Sequence, residues 1–319
     1  MKPRNLISVI ESTFEIFADP VFILIVGFFF GAIVGSFLNV CISRIPLGKS
    51  IVMPSSSCPR CGDPVSWFHN IPIFSWLALR GQASCCDFKL PLRYLSVELF
   101  TALLFAFVFF KFGGVGEFDL VCTALVFVSI LIVVIGIDFE TMTIPDRFSI
   151  GGAVAGLALS FSFPSLHGFS ADAMLIERMS ALFISVTGVL VSSASLYWIG
   201  AIAGRLINKE ALGQGDVKLL GFVGAFCGWQ GGIFVIFGGA LLGTFLLIPV
   251  MIFSKLRRIS LTNNKNNQLG WGMEIPFGPF LGLAALIYFL GMQEFVDGWF
   301  EGITSNFIFV FSALYSFLH

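Results

Sequence analysis

Long apolar runs without charge occupy residues 20–43, 120–137, 148–166, 179–204, 219–254 and 275–293, and 94–110 joins them once Glu98 is tolerated inside it. A helix needs about 20 apolar residues to cross the hydrocarbon core of a bilayer, so each run suffices, or nearly suffices, for one crossing. The run 219–254 is too long for one. Residues 228–232, reading GWQGG, offer a turn in its first half and divide it into a short span and a full one. The pattern predicts an all-α, polytopic membrane helix bundle of about eight transmembrane helices. Residues 5–17 read as an interfacial amphipathic helix, with Leu6, Ile10, Phe14 and Phe17 on one side. For 302–318 a ninth, short span and an interfacial helix both stand, because periodicity does not decide between them.

Composition supports the membrane reading: of 319 residues 57% are hydrophobic and 12% charged, against roughly 25% charged in soluble domains. The net charge of −1 says nothing about nucleic acid, and no arginine-rich stripe or glycine-rich phosphate loop argues for it, so no nucleic-acid partner is expected. The lipid bilayer is the expected surrounding. Charge placement then assigns sides. The loop from Arg44 to Arg93 carries Arg44, Lys49, Arg60, Arg80, Lys89 and Arg93 against Asp63 and Asp87, so the positive-inside rule puts it in the cytoplasm and the amino terminus outside. Counting crossings onward, Asp138, Asp146 and Asp216 all return to the cytoplasmic side. Splitting 219–254 also brings Lys255, Arg257 and Arg258 inside, whereas Glu294, Asp297 and Glu301 suit an exterior tail. No cleavable signal is expected in the first 20 residues, where Glu11, Glu15 and Asp19 precede the apolar run and no small-residue cleavage site follows. The expected organisation is an interfacial segment 1–20, a first span 21–43, a cytoplasmic cysteine loop 44–93, a catalytic membrane domain 94–293 and an extension 294–319.

The segment GQGDVKLL, residues 213–220, sets a carboxylate at the mouth of a span. As a helix-start residue Asp216 needs no further role, since it suits the free N–H groups and positive end of the helix. IDFETMTIPD, residues 137–146, supplies partners: Asp138 at the end of the third span, and Asp146 after Pro145, where a cap on the fourth span is a sufficient role. Two carboxylates approaching on separate helices cannot easily both ionise, so one keeps a proton while the other acts as base on a water. That is aspartic-protease chemistry. Gly213 and Gly215, lacking a Cβ, permit a strained turn and close approach of a substrate backbone. Asp138 rather than Asp146 is the expected partner, because it sits on the rigid end of a span. PFGPF, 276–280, suggests unwound backbone beside the acids, or a proline-kinked span. Cys41, Cys122 and Cys227 lie in apolar runs as small core residues, whereas Cys58, Cys61, Cys85 and Cys86 share one polar loop.

GSFLNVCISRIP (35–46), CPRCG (58–62), NIPIFSWLALRG (70–81), RYLSVE (93–98), IDFETMTIPD (137–146), GQGDVKLLG (213–221) and IPFGPFLG (275–282) resemble the successive signatures of the type IV prepilin peptidases, GxGD aspartyl proteases of the bacterial inner membrane. The resemblance implies catalytic aspartates at Asp138 and Asp216. It implies cleavage of the short basic leader of prepilins or type II secretion pseudopilins after a glycine at the cytoplasmic face. It also implies N-methylation of the new terminus with S-adenosylmethionine, for which the sequence itself shows no GxGxxG turn. Gly213, Gly215, Asp146, Lys218, Pro276, Gly278, Pro279 and Glu98 are the candidate substrate-binding or supporting residues. For Glu98, pairing with Arg93 is the simpler alternative.

The cysteine loop resembles the family's four-cysteine zinc module, which reads as tetrahedral thiolate ligation in a reducing cytoplasm. The pattern departs at the third cysteine, which is Ala83 here, while Cys86 keeps its place beside an additional Cys85. Cys85 substitutes, or His69 or water completes a three-cysteine site, or the metal is lost. Two other classes of function compete with the protease: a proton-coupled transporter using the same acids, and an inactive pilin-binding scaffold. Transport calls for acids near the midplane and for internal repeats, and neither is found.

Overall fold

Helix α1, Pro20–Arg44, begins where Asp19 accepts a hydrogen bond from the Val21 N–H at 2.8 Å and proline takes the first helical position. Both features satisfy or remove N–H groups that a helix start leaves unpaired. The structure is a computed structural model that describes residues 19–318 apart from 54–55, 59, 114–117, 171–173, 210–211 and 259–275. The amphipathic helix expected at 5–17 lies outside the described residues. The further helices are α2 (Phe74–Ala78), α3 (Leu92–Phe112), α4 (Phe118–Thr141), α5 (Asp146–Ser162), α6 (Leu175–Ile207), α7 (Gln214–Arg258), α8 (Gly278–Ile287) and α9 (Gln293–Leu318), the last two joined by a π-helical turn at Tyr288–Met292. Among the described residues β pairing is confined to two isolated bridges, Ser57 with Pro64 and Gln82 with Lys89, so the class is all-α.

Among the described residues six stretches are long and apolar enough to cross a bilayer: Pro20–Arg44, Leu92–Phe112, Phe118–Thr141, Leu175–Ile207, Gln214–Pro249 and Gly278–Phe307. The expected number was about eight, and the difference has two sources. Helix α5 has 17 residues and reaches about 25 Å, short of the roughly 30 Å core. Helix α7 is one stretch by length but not by path. Gly228 takes φ 68° and ψ −178°, a region open essentially to glycine alone. Up to that break added Cβ atoms at Gly221, Gly224 and Gly228 would meet Ser193, Gly188 and Ile184 in turn; four residues later one at Gly232 would meet Ser192, and further on those at Gly239 and Gly243 would meet Leu281 and Phe280. The contacts therefore reverse direction along α6, and the chain folds back as the GWQGG turn predicts. The first arm, 214–227, is about 21 Å long.

The molecule divides into two compact units, Met1–Val133 and Val134–His319. In the first, α1 and α3 run antiparallel with their main chains close. A Cβ added at Gly27, Gly31 or Gly35 would stand 2.8–2.9 Å from the Cα of Ala106, Ala102 or Glu98 respectively, the small-residue spacing that lets membrane helices approach. Asn39 Nδ2 donates to the Tyr94 carbonyl at 3.0 Å and fixes the register.

In the second unit the first arm of α7 is the central element, with Leu219, Leu220, Phe222, Val223, Ala225 and Phe226 fully buried. Helix α6 lies antiparallel to it in backbone contact at Gly188 and Gly224, and Ser185 Oγ donates to the Ala225 carbonyl at 2.7 Å. Helix α5 runs parallel to it, Gly152 against Phe222 and Gly156 against Phe226. The segment after residue 293, expected on the exterior side, is helical. The Tyr288 hydroxyl donates to Asp297 Oδ1 at 2.7 Å and also reaches, at 3.3 Å, the Cys227 carbonyl beside the break at Gly228. A side-chain hydroxyl thus reaches the main chain at the break.

The Cβ alone of Gly31→Val would stand 2.6 Å from Phe105 Cβ and 2.8 Å from Ala102 Cα, before its two methyls are counted. The substitution should lower the stability of the purified protein by about 1–3 kcal/mol in a detergent unfolding titration, and an unchanged transition would contradict the close packing.

Candidate active site

The segment 137–146 is a helix end, a turn and a helix start. Helix α4 closes at Thr141 with the Met142 N–H on the Asp138 carbonyl at 2.9 Å, Met142 takes φ 52°, and α5 begins at Asp146 behind Pro145. Asp138 is therefore on the last turn of a membrane-spanning helix, buried, and Asp146 is exposed on a different helix. The expected capping role of Asp146 is not what the structure has: Pro145 occupies the N-cap position without a side-chain bond, and the Asp146 carboxylate meets Lys218 Nζ at 2.7 Å. A proline-led start has less need of a side-chain cap, since the ring supplies the backbone angle and has no N–H to satisfy. The ion pair joins the neighbouring starts of two parallel helices, α5 and α7.

Asp216 is also buried. It is the third residue of α7 and reaches back to the N–H of Gly213, so it performs the return half of a capping box while its carboxylate stays inside the unit. The Asp138 charge acts on it. The Gly278 N–H faces the Asp138 carboxylate, and a Cβ on Gly278 would stand 2.5 Å from Asp138 Oδ2, a buried oxygen without a hydrogen-bond partner. Gly278 must be glycine for that approach to exist.

Ile144 closes the arrangement. A Cβ at Gly215 would lie 3.2 Å from Ile144 Cβ, and one at Gly278 would lie 3.2 Å from Ile144 Cδ1. One side chain from the turn after α4 is thus wedged between the two glycine segments. Sequence reasoning passed over it; the available signal was an apolar residue inside a polar turn, immediately before a proline. PFGPF is the start of a helix and not a kink within one: Pro276 and Phe277 precede α8, and Pro279 is its second residue. Of the candidates named from sequence, Asp138, Asp146, Gly213, Gly215, Asp216, Lys218, Pro276, Gly278 and Pro279 all fall on these converging segments of the second unit.

Glu98 belongs to the first unit. Buried on α3, it accepts the Ile73 N–H at 2.7 Å and a hydrogen bond from the Ser36 hydroxyl. The cysteine loop is in that unit too. The chain turns at Gly62, with φ 78°, while Cys58 N–H donates to the Asp63 carbonyl at 2.8 Å. On the other side Ala83 N–H donates to Phe88 and Leu90 N–H to Gly81, both at 2.8 Å. These two turns present four thiols, of Cys58, Cys61, Cys85 and Cys86, all within 4.8 Å of one another. Cys58 lies 3.7 Å from Cys86 and Cys61 3.2 Å from Cys85, around the edge of about 3.8 Å that a tetrahedron with metal–sulfur bonds of roughly 2.3 Å requires. The N–H groups of Cys61 and Arg60 bring the Cys58 thiol down to about 6, so it is a thiolate at neutral pH. The hydrogen bond with Cys61, followed by that with Cys58, pushes Cys85 up, which leaves a proton for an incoming cation to displace. His69 is engaged with Ser66, Nδ1 to Oγ at 2.9 Å, and stands apart from the thiol group.

Comparisons with known proteins place the chain in a family. Residues 29–112 match a family model described as the bacterial peptidase A24 N-terminal domain, and 125–248 match the type IV leader peptidase family. A prepilin leader peptidase/N-methyltransferase of Myxococcus xanthus is 37% identical over 225 residues, 69% of this chain and 62% of the relative, so the match spans less than two thirds of that protein. The one from Aeromonas hydrophila is 32% identical over 82% of this chain and 89% of its own length. That from Stutzerimonas stutzeri is 28% identical over 91% and 96%. No solved structure matches the chain.

Because both partners of the Asp146–Lys218 pair are exposed, Asp146→Asn and Lys218→Met should each cost no more than about 1 kcal/mol of stability. The double variant should lose less than the sum, as for residues in contact. Denaturation of the three variants checks this, and a loss of several kcal/mol would show the pair to be a structural keystone.

Proposed function

We propose, for a chain that belongs to the type IV leader peptidase family, that it is an aspartic endopeptidase whose catalytic pair is Asp138 and Asp216. The observation that carries this is the convergence of two buried carboxylates from α4 and α7, each held by a glycine N–H and not by a cation. In such a pair one acid keeps a proton and the other is ionised. The ionised acid draws a proton from water as its oxygen attacks the scissile carbonyl, and the protonated acid donates to the carbonyl oxygen. The tetrahedral gem-diol collapses when the peptide nitrogen takes from the first acid the proton drawn from water and leaves as an amine, while a diol hydroxyl gives its proton to the other acid as the carboxyl product forms, so the pair again holds one proton. Gly213 and Gly278 hold the acids, Gly215 and Ile144 set their separation, and the backbone at Pro276 and Phe277, ahead of α8, supports an extended substrate.

The substrates are prepilins or type II secretion pseudopilins, cut after the glycine that ends a basic leader. The second activity, N-methylation of the new terminus, follows the names of the relatives. Among the described residues no strand, glycine turn and helix form a unit suited to S-adenosylmethionine, so no residue is assigned to that donor. The four thiols of the cysteine loop suit zinc, which would cross-link the loop as a structural ion. We read the fold as eight crossings in the bacterial inner membrane, with α5 and the two arms of α7 counted separately. The basic loop between α1 and α3 and the acid pair then face the cytoplasm.

Asp138→Asn and Asp216→Asn should each lower cleavage of a purified prepilin by several orders of magnitude with the protein still inserted. Asp146→Asn should retain most activity, and the reverse order would overturn the assignment. Cleavage should follow a bell-shaped pH profile, falling at low pH as the second acid gains a proton and at high pH as the shared proton is lost. A profile flat across the acidic range would refute a coupled pair. Elemental analysis of protein purified without chelator should give one zinc per chain, lost in Cys58→Ser and in Cys86→Ser.

A further inference from the structure

Between its two cysteine pairs the loop carries the segment NIPIFSWLALRG, residues 70–81. Its tip is an unusual piece of backbone. Ile73 takes φ 65° and ψ −54°, and the Phe74 N–H donates across it to the Pro72 carbonyl at 2.6 Å, which makes a γ-turn centred on a β-branched residue. That conformation is strained and persists only where the surroundings impose it. Here the buried Glu98 carboxylate takes the Ile73 N–H, and the Ile73 side chain joins the apolar cluster of Ala32 and Ala102, against which Phe28 and Leu95 pack.

The depth of this anchor is informative. Glu98 lies six residues inside the start of α3, about 9 Å along its axis, and Ser36, which also bonds to Glu98, lies eight residues inside the end of α1, about 12 Å. The tip therefore descends alongside two membrane-spanning helices. Around it the large apolar side chains point outward: Trp67 is 70% exposed, Phe68 58%, Phe74 56% and Leu77 55%. Trp67 and Phe68 stack with ring centroids 3.4 Å apart, and Arg80 is exposed just beyond the patch. Aromatic rings beside a cation match the boundary of acyl chains and phosphate headgroups.

We infer that residues 67–79 form a membrane-docking element, lodged in the headgroup and acyl boundary of the leaflet that the end of α1 and the start of α3 enter, with bilayer phospholipid covering the Trp67, Phe68, Phe74 and Leu77 surface. Two features favour lipid over another protein as the occupant: the patch hangs from two spans already in that bilayer, and its anchor reaches below their ends. Glu98 and the γ-turn set the depth, and the cysteine turns at either side hold the element's ends together. This inference is independent of the peptidase reading.

Reconstitution of the full chain in phospholipid nanodiscs tests it. The chain has 6 tryptophans, so the emission of the intact protein minus that of Trp67→Phe isolates Trp67. That difference spectrum should be blue-shifted, should lose most of its intensity when the lipid carries bromine near the headgroup end of its acyl chains, and should lose less when bromine is near the tail. Emission unaffected by bromolipid and quenched by aqueous iodide would overturn the proposal. As a second probe, p-benzoylphenylalanine in place of Leu77 should give a phospholipid adduct on irradiation. A band at twice the chain mass would assign the surface to a second copy and overturn it too. Both readouts are blind to proteolysis, so neither depends on whether the acid pair is active.

Discussion

Where Gly188 and Gly224 meet, two membrane helices run with their main chains in contact, and the second unit is arranged around that approach. In lipid no hydrophobic force draws helices together, so close van der Waals contact and hydrogen bonds across the interface must do so. The absence of side chains at Gly188 and Gly224 admits the contact, and Ser185 adds a bond to the Ala225 carbonyl. With α6 pressed on one side and α5 on another, the first arm of α7 is buried along its length. Asp216 at its start consequently has a position as rigid as the helix that bears it.

The reversal at Gly228 completes the acid site from a distance. Once the chain folds back, Gly239 and Gly243 lie beside Leu281 and Phe280, the first turn of α8, whose opening glycine touches Asp138. A residue more than ten positions away from Asp216 thereby decides where the other acid's backbone partner stands. Tyr288 supports the same bend, occupying the Cys227 carbonyl and Asp297 together.

The buried carboxylates share a mode of support. Asp138, Asp216 and Glu98 each accept a main-chain N–H, from Gly278, Gly213 and Ile73 respectively. A backbone donor satisfies an oxygen without adding a second buried charge, so the desolvation cost of an ion pair is avoided. Asp146, which pairs with the Lys218 cation, is exposed instead. For a dyad this division is useful, because a neighbouring cation would favour ionisation of both acids and remove the shared proton on which the chemistry rests.

The sequence by itself determined what depends on composition, spacing and local backbone freedom. Apolar runs of bilayer length make the helices, GWQGG breaks the longest of them, and IDFETMTIPD and GQGD carry the two acids proposed as the pair. Four cysteines in one polar loop announce a thiol cluster. The tertiary structure decided what depends on distance between segments. Asp146 reads as a cap until Lys218 is seen 2.7 Å away on another helix. Whether Cys85 joins Cys58, Cys61 and Cys86 is open in the chain until two opposed turns bring the four thiols within 4.8 Å of one another. Ile144 and Ile73 carry no polar group and no motif, so nothing marks them in the chain. Their roles come from what they are wedged between, and a linear pattern contains no such information, because packing is a property of pairs of segments and not of any one of them.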